Sequence, residues 1–453
     1  MMEIPCGMQE QFLEAKQLIE SSNDIKIYTH TDCDGICSGA ILSIILDRLN
    51  KDYEIEFVNL DEIEDLDLDH KLTIFSDLGS GQGVDKNAKD GQKILILDHH
   101  PPLRDINYKN DKAYTYLEIN PMFYGIDGSY YVCGGGLCYF LAKTFGFKDL
   151  SWIGVLSAIG DMQNNKTGHF EGLNEIIQED AINEGLLKVT KNDLNIYGRS
   201  TRPLYVALSY FSDVKLPITN NQQEAKVVLE ELGVDEKHNR KTLSEVTEED
   251  KMEIKKFLSR MISKRVPPKY LKYVPKLIVG DAYTFLNEEE GSFLRDGSEF
   301  STAMNACGRN RKEAIGVDII KGDRLVALDA LEEVSKTHKY NLATSISKVA
   351  DNYHSEIIEL DNFQYFDCSD FDEDIASNII GTITGMVLGY CNWKKPILGF
   401  SKPKNNQIKV SLRCSKLLAY DGIHFGNMMR EIAKEVGAVS YTHLRAHETR
   451  SNL

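Results

Sequence analysis

Four short segments in the first 161 residues carry aspartate and histidine side chains in patterns that suit metal-dependent hydrolysis. They are His30-Thr31-Asp32-Cys33-Asp34-Gly35, Ser76-Asp77, Asp98-His99-His100 and Gly160-Asp161. Each closes or follows an apolar run, and the first three runs, IKIYTH, LTIFSD and KILILDHH, look like buried β-strands. Open α/β sheets place their ligands at the carboxyl ends of the strands. Carboxylates and imidazoles at that edge predict a two-metal hydrolytic site.

The first segment predicts three converging ligands. His30, Asp32 and Asp34 alternate along an extended strand end, and side chains two apart in a strand share one face. Gly35 then permits a tight turn into a helix at Ile36, whose amino-terminal amides favour an anionic ligand. The alternative is a plain turn in which an aspartate caps the helix.

The Asp98-His99-His100 triplet is the strongest single segment. Two histidines that end an apolar strand and precede two prolines do not suit a core, and with the adjacent carboxylate they predict a supported metal ligand. Asp77 and Asp161 on their own are weaker evidence for a metal site, because an aspartate after a strand or at a helix end is commonly a turn former or a cap. Carboxylates mixed with one or two imidazoles favour Mn²⁺ or Mg²⁺ over zinc, which more often takes thiolates and histidines.

The elements around these segments indicate an α/β fold with three parts and a tail. Strand-like and helix-like runs alternate over residues 1–169, which predicts an N-terminal doubly wound, mainly parallel sheet. Residues 170–269 are expected to form a helical connector, and residues 270–439 a smaller C-terminal α+β domain. The polar stretch 440–453 has no apolar period and is expected to be a non-native tail. The glycine run after Cys133 is either a phosphate cradle or, as we favour, a helix start packed closely against the sheet.

Composition restricts the class of protein. A chain of 453 residues is expected to form two or three domains. It has no apolar run long enough to span a bilayer and no signal-peptide pattern, and its nine cysteines favour reduced thiols, so we expect a cytoplasmic protein with no membrane partner. Cys33 and Cys37 are expected to face the core. The net charge of −17 argues against a general nucleic-acid coat but not against an enzyme whose bound cations offset its carboxylates.

The four segments, in this order and spacing, resemble the DHH phosphoesterase superfamily, named for the triplet at 98–100. The resemblance implies a DHH catalytic domain, a DHH-associated substrate-binding domain, and hydrolysis by a hydroxide activated by two Mn²⁺ or Mg²⁺ ions. Catalytic roles are implied for His100, which would face the scissile phosphate, and for Asp98. The implied ligands are His30, Asp32 and Asp77 for one ion, and Asp34, Asp77, His99 and Asp161 for the other.

Two later segments, FSTAMNACGR at 300–309 and YGRSTRP at 197–203, look like parts of archaeal RecJ-like exonucleases. This implies a single-strand-specific exonuclease acting on DNA or RNA, with replication-helicase partners and roles in DNA replication and repair. Contacts with the substrate backbone are implied for Asn305, Arg309, Arg311 and Arg413. The alternatives are ordinary surface charges and, for Arg199 and Arg202, an interdomain salt bridge. The basic stretch around Tyr270 and Tyr273 is either a stacking surface for a single strand or a solvated linker.

One motif departs from the superfamily pattern, and two other functions stay open. A Gly-Gly-His motif is expected after a helix such as REIAKEVGA, but Val439-Ser440-Tyr441-Thr442 stands there. The first alternative is an oligoribonuclease or cyclic-dinucleotide phosphodiesterase of the same superfamily, which the long connector disfavours. The second is a replisome scaffold like the eukaryotic helicase subunit of this superfamily, which the complete set of ligand positions disfavours.

Overall fold

The computed structural model describes residues 2–60, 62–109, 113–234, 241–350, 356–369, 371, 373–401, 408–422 and 425–436. The chain forms two compact units, one from residues 1–189, 284–287 and 300–334 and the other from 190–283, 288–299 and 335–453. Residues 300–334 therefore pack with the amino-terminal unit, although the sequence predicts a separate domain from residue 270. The predicted tail and the Val439–Thr442 segment lie outside the described residues.

A parallel five-stranded sheet lies at the centre of the first unit. Two of its strands are buried at nearly every position, which explains why their sequences are apolar throughout instead of alternating. The prediction of a mainly parallel α/β sheet is confirmed. The strands are β1 (Ile25–His30), β2 (Tyr53–Val58), β3 (Leu72–Ser76), β4 (Lys93–Leu97) and β5 (Thr115–Ile119), in the order β2-β1-β3-β4-β5 with every neighbouring pair parallel.

The strand order reverses beside β1, because β2 lies on one side of it and β3 on the other. In open parallel sheets such a reversal opens a crevice at the carboxyl ends of the strands, where ligands bind. His30 ends β1, Asp77 directly follows β3, and Asp98 directly follows β4. The topology thus delivers three of the four ligand segments to this crevice.

The remaining elements of the first unit are mainly helices. One helix, α2 (Cys33–Arg48), is buried along most of its length because it contacts the sheet and three other helices, α3 (Gly134–Thr144), α4 (Ser151–Gly160) and α11 (Glu313–Ile320). The fourth ligand segment follows the buried helix α4, so Asp161 comes from a helix end. The bounds are α1 (Cys6–Glu20), α2 (Cys33–Arg48), α3 (Gly134–Thr144), α4 (Ser151–Gly160), α5 (Leu173–Asn183) and, farther along the chain, α10 (Gly297–Arg309) and α11 (Glu313–Ile320).

The second unit combines helices with a small mixed sheet of order β11-β10-β9-β8. Its helical part has a core of its own, and another core lies between the small sheet and α13. The strands β6 (Leu187–Leu194) and β7 (Val279–Phe285) pair where the chain passes between units. The other elements are α6 (Leu204–Ser209), α7 (Gln222–Glu231), α8 (Glu248–Ser263), α9 (Val274–Ile278), α12 (Val326–Ala350), β8 (Ile358–Glu359), β9 (Gln364–Asp367), α13 (Glu373–Met386), β10 (Ile397–Ser401), β11 (Lys409–Arg413), α14 (Lys416–Tyr420) and α15 (Phe425–Val436).

Two sequence-based expectations about composition can be compared with the described residues. All nine cysteines are free thiols, and Cys33 and Cys37 are fully buried, as predicted. Among the helices that the structure describes, none is both long and apolar enough to cross a bilayer.

The sheet core should dominate the stability of the first unit. Ile74 is fully buried in β3, so Ile74→Ala should lower the free energy of unfolding by about 2–5 kcal/mol through lost burial and a cavity. The control Leu13→Ala, at a side chain that is 53% exposed, should change it by less than about 0.5 kcal/mol. Urea unfolding followed by Trp152 fluorescence, with Trp393→Phe in every variant, measures this unit. Equal losses for the two variants would contradict the core assignment.

Candidate metal centre

The first ligand segment is a helix cap, not an extended strand end. β1 ends at His30 and α2 begins at Cys33, and Oδ1 of the N-cap residue Asp32 accepts a hydrogen bond from the Gly35 amide at 3.1 Å. The predicted helix start at Ile36 is therefore wrong, as is the prediction that strand alternation brings three ligands to one face. A capping aspartate satisfies an amino-terminal amide and starts the helix earlier.

Gly35 is required for close approach rather than for a left-handed turn. A Cβ atom at this position would lie 2.0 Å from the carbonyl oxygen of His30, so only glycine lets the first turn of α2 fold back on the strand end. The hydroxyl of Thr29 donates to the carbonyl of Gly35 at 2.7 Å and ties the two together. As a result Nδ1 of His30 lies 3.2 Å from Oδ1 of Asp32.

Potential ligand atoms gather in three overlapping groups, and within each group they all lie within 4.8 Å of one another. Asp77 and His99 each belong to two groups. Nε2 of His99 lies 3.2 Å from Oδ1 of Asp77 and 3.5 Å from Oδ2 of Asp34. The structure thus brings together every residue for which a ligand role is predicted, whereas the roles themselves stay a prediction. The groups are His30, Asp32 and Asp77; Asp34, His99 and Asp161; and Asp77, Asp98, His99 and His100.

Asp77 has the environment of a cation ligand. It is 1% exposed and adopts a left-handed backbone conformation, with φ of 59°. Its Oδ2 atom is buried without a hydrogen-bond donor among the described residues, and Nδ1 of His30 lies 3.5 Å away. Burial and the nearby charge of Asp34 raise the pKa of Asp77 well above its usual range. A divalent cation would offset the charge of a buried carboxylate oxygen that no hydrogen bond satisfies.

Asp34 is held by the amino terminus of α3. Its Oδ2 accepts from the Gly134 amide at 2.8 Å and its Oδ1 from the Gly135 amide at 2.7 Å, and the Ser157 hydroxyl also donates to it. A Cβ at Gly134 would lie 2.6 Å from Cβ of Asp77. The glycine run is therefore a closely packed helix start, as we favoured from the sequence, and its amides bind a fixed carboxylate.

His99 is oriented by a carbonyl that two side chains share. Its Nδ1 donates to the Gly128 carbonyl at 2.7 Å, which directs Nε2 to the ligand groups. Nε2 of Gln163 donates to the same carbonyl at 2.8 Å and to Oδ2 of Asp161 at 2.9 Å, and Asn174 donates to Gln163 at 2.5 Å. Our sequence reasoning missed Gln163 and Asn174, and the only signal was that Gln163 stands two residues after Asp161.

Asp98 orients the ring of His100 through a hydrogen bond. Its Oδ1 accepts from Nδ1 of His100 at 2.7 Å and its Oδ2 from the Ser80 amide at 2.9 Å. Burial opposes the ionised form, but the contact with His100 and these hydrogen bonds hold the pKa of Asp98 well below its usual range. Burial and the charge of His99 lower the pKa of His100. Asn120, also missed from the sequence, donates to the His100 carbonyl at 2.8 Å.

The predicted substrate-binding residues divide between the two units. Oδ1 of Asn305, in α10, accepts from the Cys33 amide at 3.1 Å, which puts this residue beside the first ligand segment. Arg309 ends the same helix and is half-buried, and Arg311 follows it, exposed, with φ of 53°. Arg413 ends β11 in the second unit, where its Nη1 donates to the Leu412 carbonyl at 3.0 Å.

Two other residues for which roles are suggested, Arg199 and Tyr270, pack within the second unit. Arg199 is buried, with Nη1 at 2.5 Å from Oδ2 of Asp193 and Nε at 3.6 Å from Oδ2 of Asp296. Tyr270 is 5% exposed and contacts Trp393 edge-on, with ring centroids 5.5 Å apart. Tyr270 therefore fits neither alternative, a stacking surface or a solvated linker, because the apolar core of the unit already covers its ring.

Known families match two stretches of the chain, and similar proteins match most of it. The descriptions that match are "DHH family, N-terminal domain" over residues 24–155 and "DHH-CID domain" over residues 196–274. The uncharacterized protein MJ0831 of Methanocaldococcus jannaschii is 30% identical over 421 residues, which cover 91% of this chain and 86% of that protein. CDC45 from Entamoeba histolytica shares the fold with a TM-score of 0.63 and 15% identity, over 95% of this chain and 93% of that one.

A further solved structure is RecJ in complex with Mn²⁺ from Thermus thermophilus. It aligns with a TM-score of 0.49 and 12% identity, over 91% of this chain. This chain spans about half the length of that protein, since the alignment covers 48% of it.

Metal binding at this centre should depend on pH. Burial raises the pKa of Asp161 to about 7, against the opposing effect of His99. A carboxylate must lose its proton to bind a cation, so Mn²⁺ affinity should rise by at least about tenfold per pH unit below pH 7, and the raised pKa of Asp77 should add to that slope. Titration calorimetry from about pH 5 to pH 8 measures the slope. Asp161→Asn should bind more weakly and show a flatter slope, and a wild-type affinity independent of pH would contradict the assignment.

Proposed function

Because this chain belongs to the DHH superfamily, we propose that it is a metal-dependent phosphodiesterase that removes nucleotides from an end of single-stranded DNA or RNA. The observation that supports this most is the overlap of the three ligand groups at Asp77 and His99. Two adjacent cation positions that share a carboxylate are an arrangement suited to the displacement of a phosphodiester oxygen.

The proposed centre takes two Mn²⁺ or Mg²⁺ ions. When bound, they supply an activated water nucleophile and stabilise the negative charge that develops on the phosphoryl oxygens. Oxygen-rich donor sets with one imidazole each suit these hard cations. The proposed ligands are His30, Asp32 and Asp77 for one ion, and Asp34, Asp77, His99 and Asp161 for the other.

His100 is the proposed contact to the scissile phosphate. Its Nδ1 donates to Asp98 at 2.7 Å, so Nε2 is the nitrogen that we assign to a phosphoryl oxygen. The lowered pKa of His100 favours a neutral ring at neutral pH. A bound phosphate raises that pKa through its negative charge, so that a protonated Nε2 donates to the substrate. Asp98 fixes the ring plane and stabilises the charged form.

We further propose that arginines bind the substrate backbone. Arg309 and Arg311 flank the end of α10, whose Gly308 lies against the carbonyl of Thr31 in the first ligand segment. A guanidinium at that place suits a phosphate next to the one that is cut, since it can donate two hydrogen bonds. Arg413, in the second unit, is proposed to bind a more distant phosphate.

Two other functions are distinguished from the proposed one by the degradation assay described below. A scaffold role in a replication assembly, without hydrolysis, is the second candidate, and the fold shared with CDC45 is the observation that favours it. The complete set of ligand residues around Asp77 favours hydrolysis instead. A phosphodiesterase for very short oligonucleotides or cyclic dinucleotides would use the same centre and differ only in substrate length.

The first test of this proposal is degradation of end-labelled single strands with and without Mn²⁺. Asp77→Asn removes the charge of the shared carboxylate and should lower the rate by at least about 100-fold, because several kcal/mol of charge stabilisation are lost. Glu14→Gln removes an exposed carboxylate on α1 and should leave the rate unchanged.

Each result of that assay has a distinct meaning. Stepwise shortening by the wild type supports the exonuclease. Cleavage confined to di- and trinucleotides supports the short-substrate enzyme. Metal binding without cleavage of any of these substrates would refute the proposed hydrolysis and favour the scaffold.

The second test concerns backbone binding. Arg309→Ala should raise KM for a long single strand by about tenfold and lower the salt dependence of binding by about one phosphate contact, with a smaller change in kcat. Lys148→Ala removes an exposed cation from the same unit and serves as the control. Steady-state kinetics and fluorescence anisotropy at several salt concentrations measure both effects. An unchanged salt slope for Arg309→Ala would show that this arginine does not touch the backbone.

A further inference from the structure

A helix from the second half of the chain lies directly against the first ligand segment. Oδ1 of Asn305 in α10 accepts a hydrogen bond from the backbone amide of Cys33 at 3.1 Å, across 272 residues of sequence. That amide is the first of α2 and lies between Asp32 and Asp34. The turn from β1 into α2 is therefore held by a hydrogen bond from Gly35 to Asp32 inside the segment and by a hydrogen bond to Asn305 of α10.

The approach of α10 is close enough to require a glycine. A Cβ at Gly308 would lie 1.7 Å from the carbonyl oxygen of Thr31 and 3.5 Å from Cα of Asp32. The next helix, α11, is fitted in the same way, because a Cβ at Gly316 would lie 2.9 Å from Cγ2 of Ile36. α10 therefore contacts the backbone of the first ligand segment, and α11 contacts the first turn of α2. All of these residues belong to one compact unit.

We propose that Asn305 is a positioning residue for the metal centre, an inference that rests on the proposed function. Its side chain fixes the Cys33 amide and thereby the peptide that links Asp32 to Asp34. Loss of the acceptor leaves the N–H of the buried Cys33 without its partner, and a shift of Thr31 and Asp32 is needed to satisfy it. Such a shift separates Asp32 from His30, which now lies 3.2 Å away.

Loss of the Asn305 contact should affect the two proposed ions differently. The ion assigned to His30, Asp32 and Asp77 depends on the turn directly. Asp34, assigned to the other ion, is also anchored by the amides of Gly134 and Gly135 at 2.8 and 2.7 Å. A shift of the turn should therefore weaken one ion selectively, whereas a role of Asn305 in helix packing alone would leave both affinities unchanged.

The test is Mn²⁺ binding by the full-length protein, measured by calorimetry and electron paramagnetic resonance. Asn305→Leu keeps the side-chain volume but removes the acceptor, and should weaken one of two ions by about 10- to 100-fold, the usual effect of losing a group that supports a ligand. Asn305→Asp keeps an acceptor oxygen and should restore two-ion binding. Asn310→Ala is the matched control, since this asparagine directly follows α10 and its side chain donates to the Ala306 carbonyl of that helix, not to the first ligand segment.

The outcomes separate this inference from the proposed function. Two-ion binding by Asn305→Leu with wild-type affinities would overturn the inference, whatever the activity. Equal weakening of both ions, with a loss of thermal stability like that of Asn310→Ala, would also overturn it. Selective weakening in a protein that cuts no nucleic acid would sustain the positioning role and refute the nuclease. A wild type that binds no Mn²⁺ would refute both.

Discussion

The repulsion among buried carboxylates is the constraint on which the first unit depends. Asp34, Asp77 and Asp161 share one pocket with His99, and burial raises the pKa of both Asp77 and Asp161. Such a group of like charges is unfavourable unless donors or cations offset it. The fold supplies hydrogen-bond donors to Asp34 and Asp161 and an acceptor that orients His99. Helix amides bind Asp34, Gln163 binds Asp161, and a carbonyl orients His99.

The sheet topology determines where this pocket lies, and helix starts determine its shape. The reversal of strand order beside β1 opens the crevice, and apolar strands bring His30, Asp77 and Asp98 to its edge. α2 and α3 then begin within the site itself. Because helix amino termini carry unpaired amides, they offset carboxylate charge without adding a side chain that would fill the pocket.

The sequence was sufficient to predict the sheet and the residues that gather at its edge. Apolar runs such as LTIFSD identify strands by composition alone, and His and Asp at their ends identify the edge that carries chemistry. The predicted start of α2 is wrong because Asp32 suits both an alternating strand and an N-cap. In the structure it is the N-cap, so the helix begins at Cys33. The contacts of Asp34 with Gly134, and of Cys33 with Asn305, span 100 and 272 residues, and no local pattern reports such a pairing. Tyr270 was misread for the same reason, since its partner Trp393 is remote in sequence.

The position of residues 300–334 in the first unit has a consequence for how the protein is made. The first 189 residues leave the ribosome with every proposed metal ligand, yet the segment that completes this unit ends only at residue 334, which is 145 residues later. At about 5–20 residues per second this interval lasts about 7–30 seconds. Until α10 is made, the ligand turn lacks the helix that lies against it, so a nascent or prematurely ended chain would carry an incomplete centre. The order of synthesis thus ties the maturation of the centre to the later part of the chain.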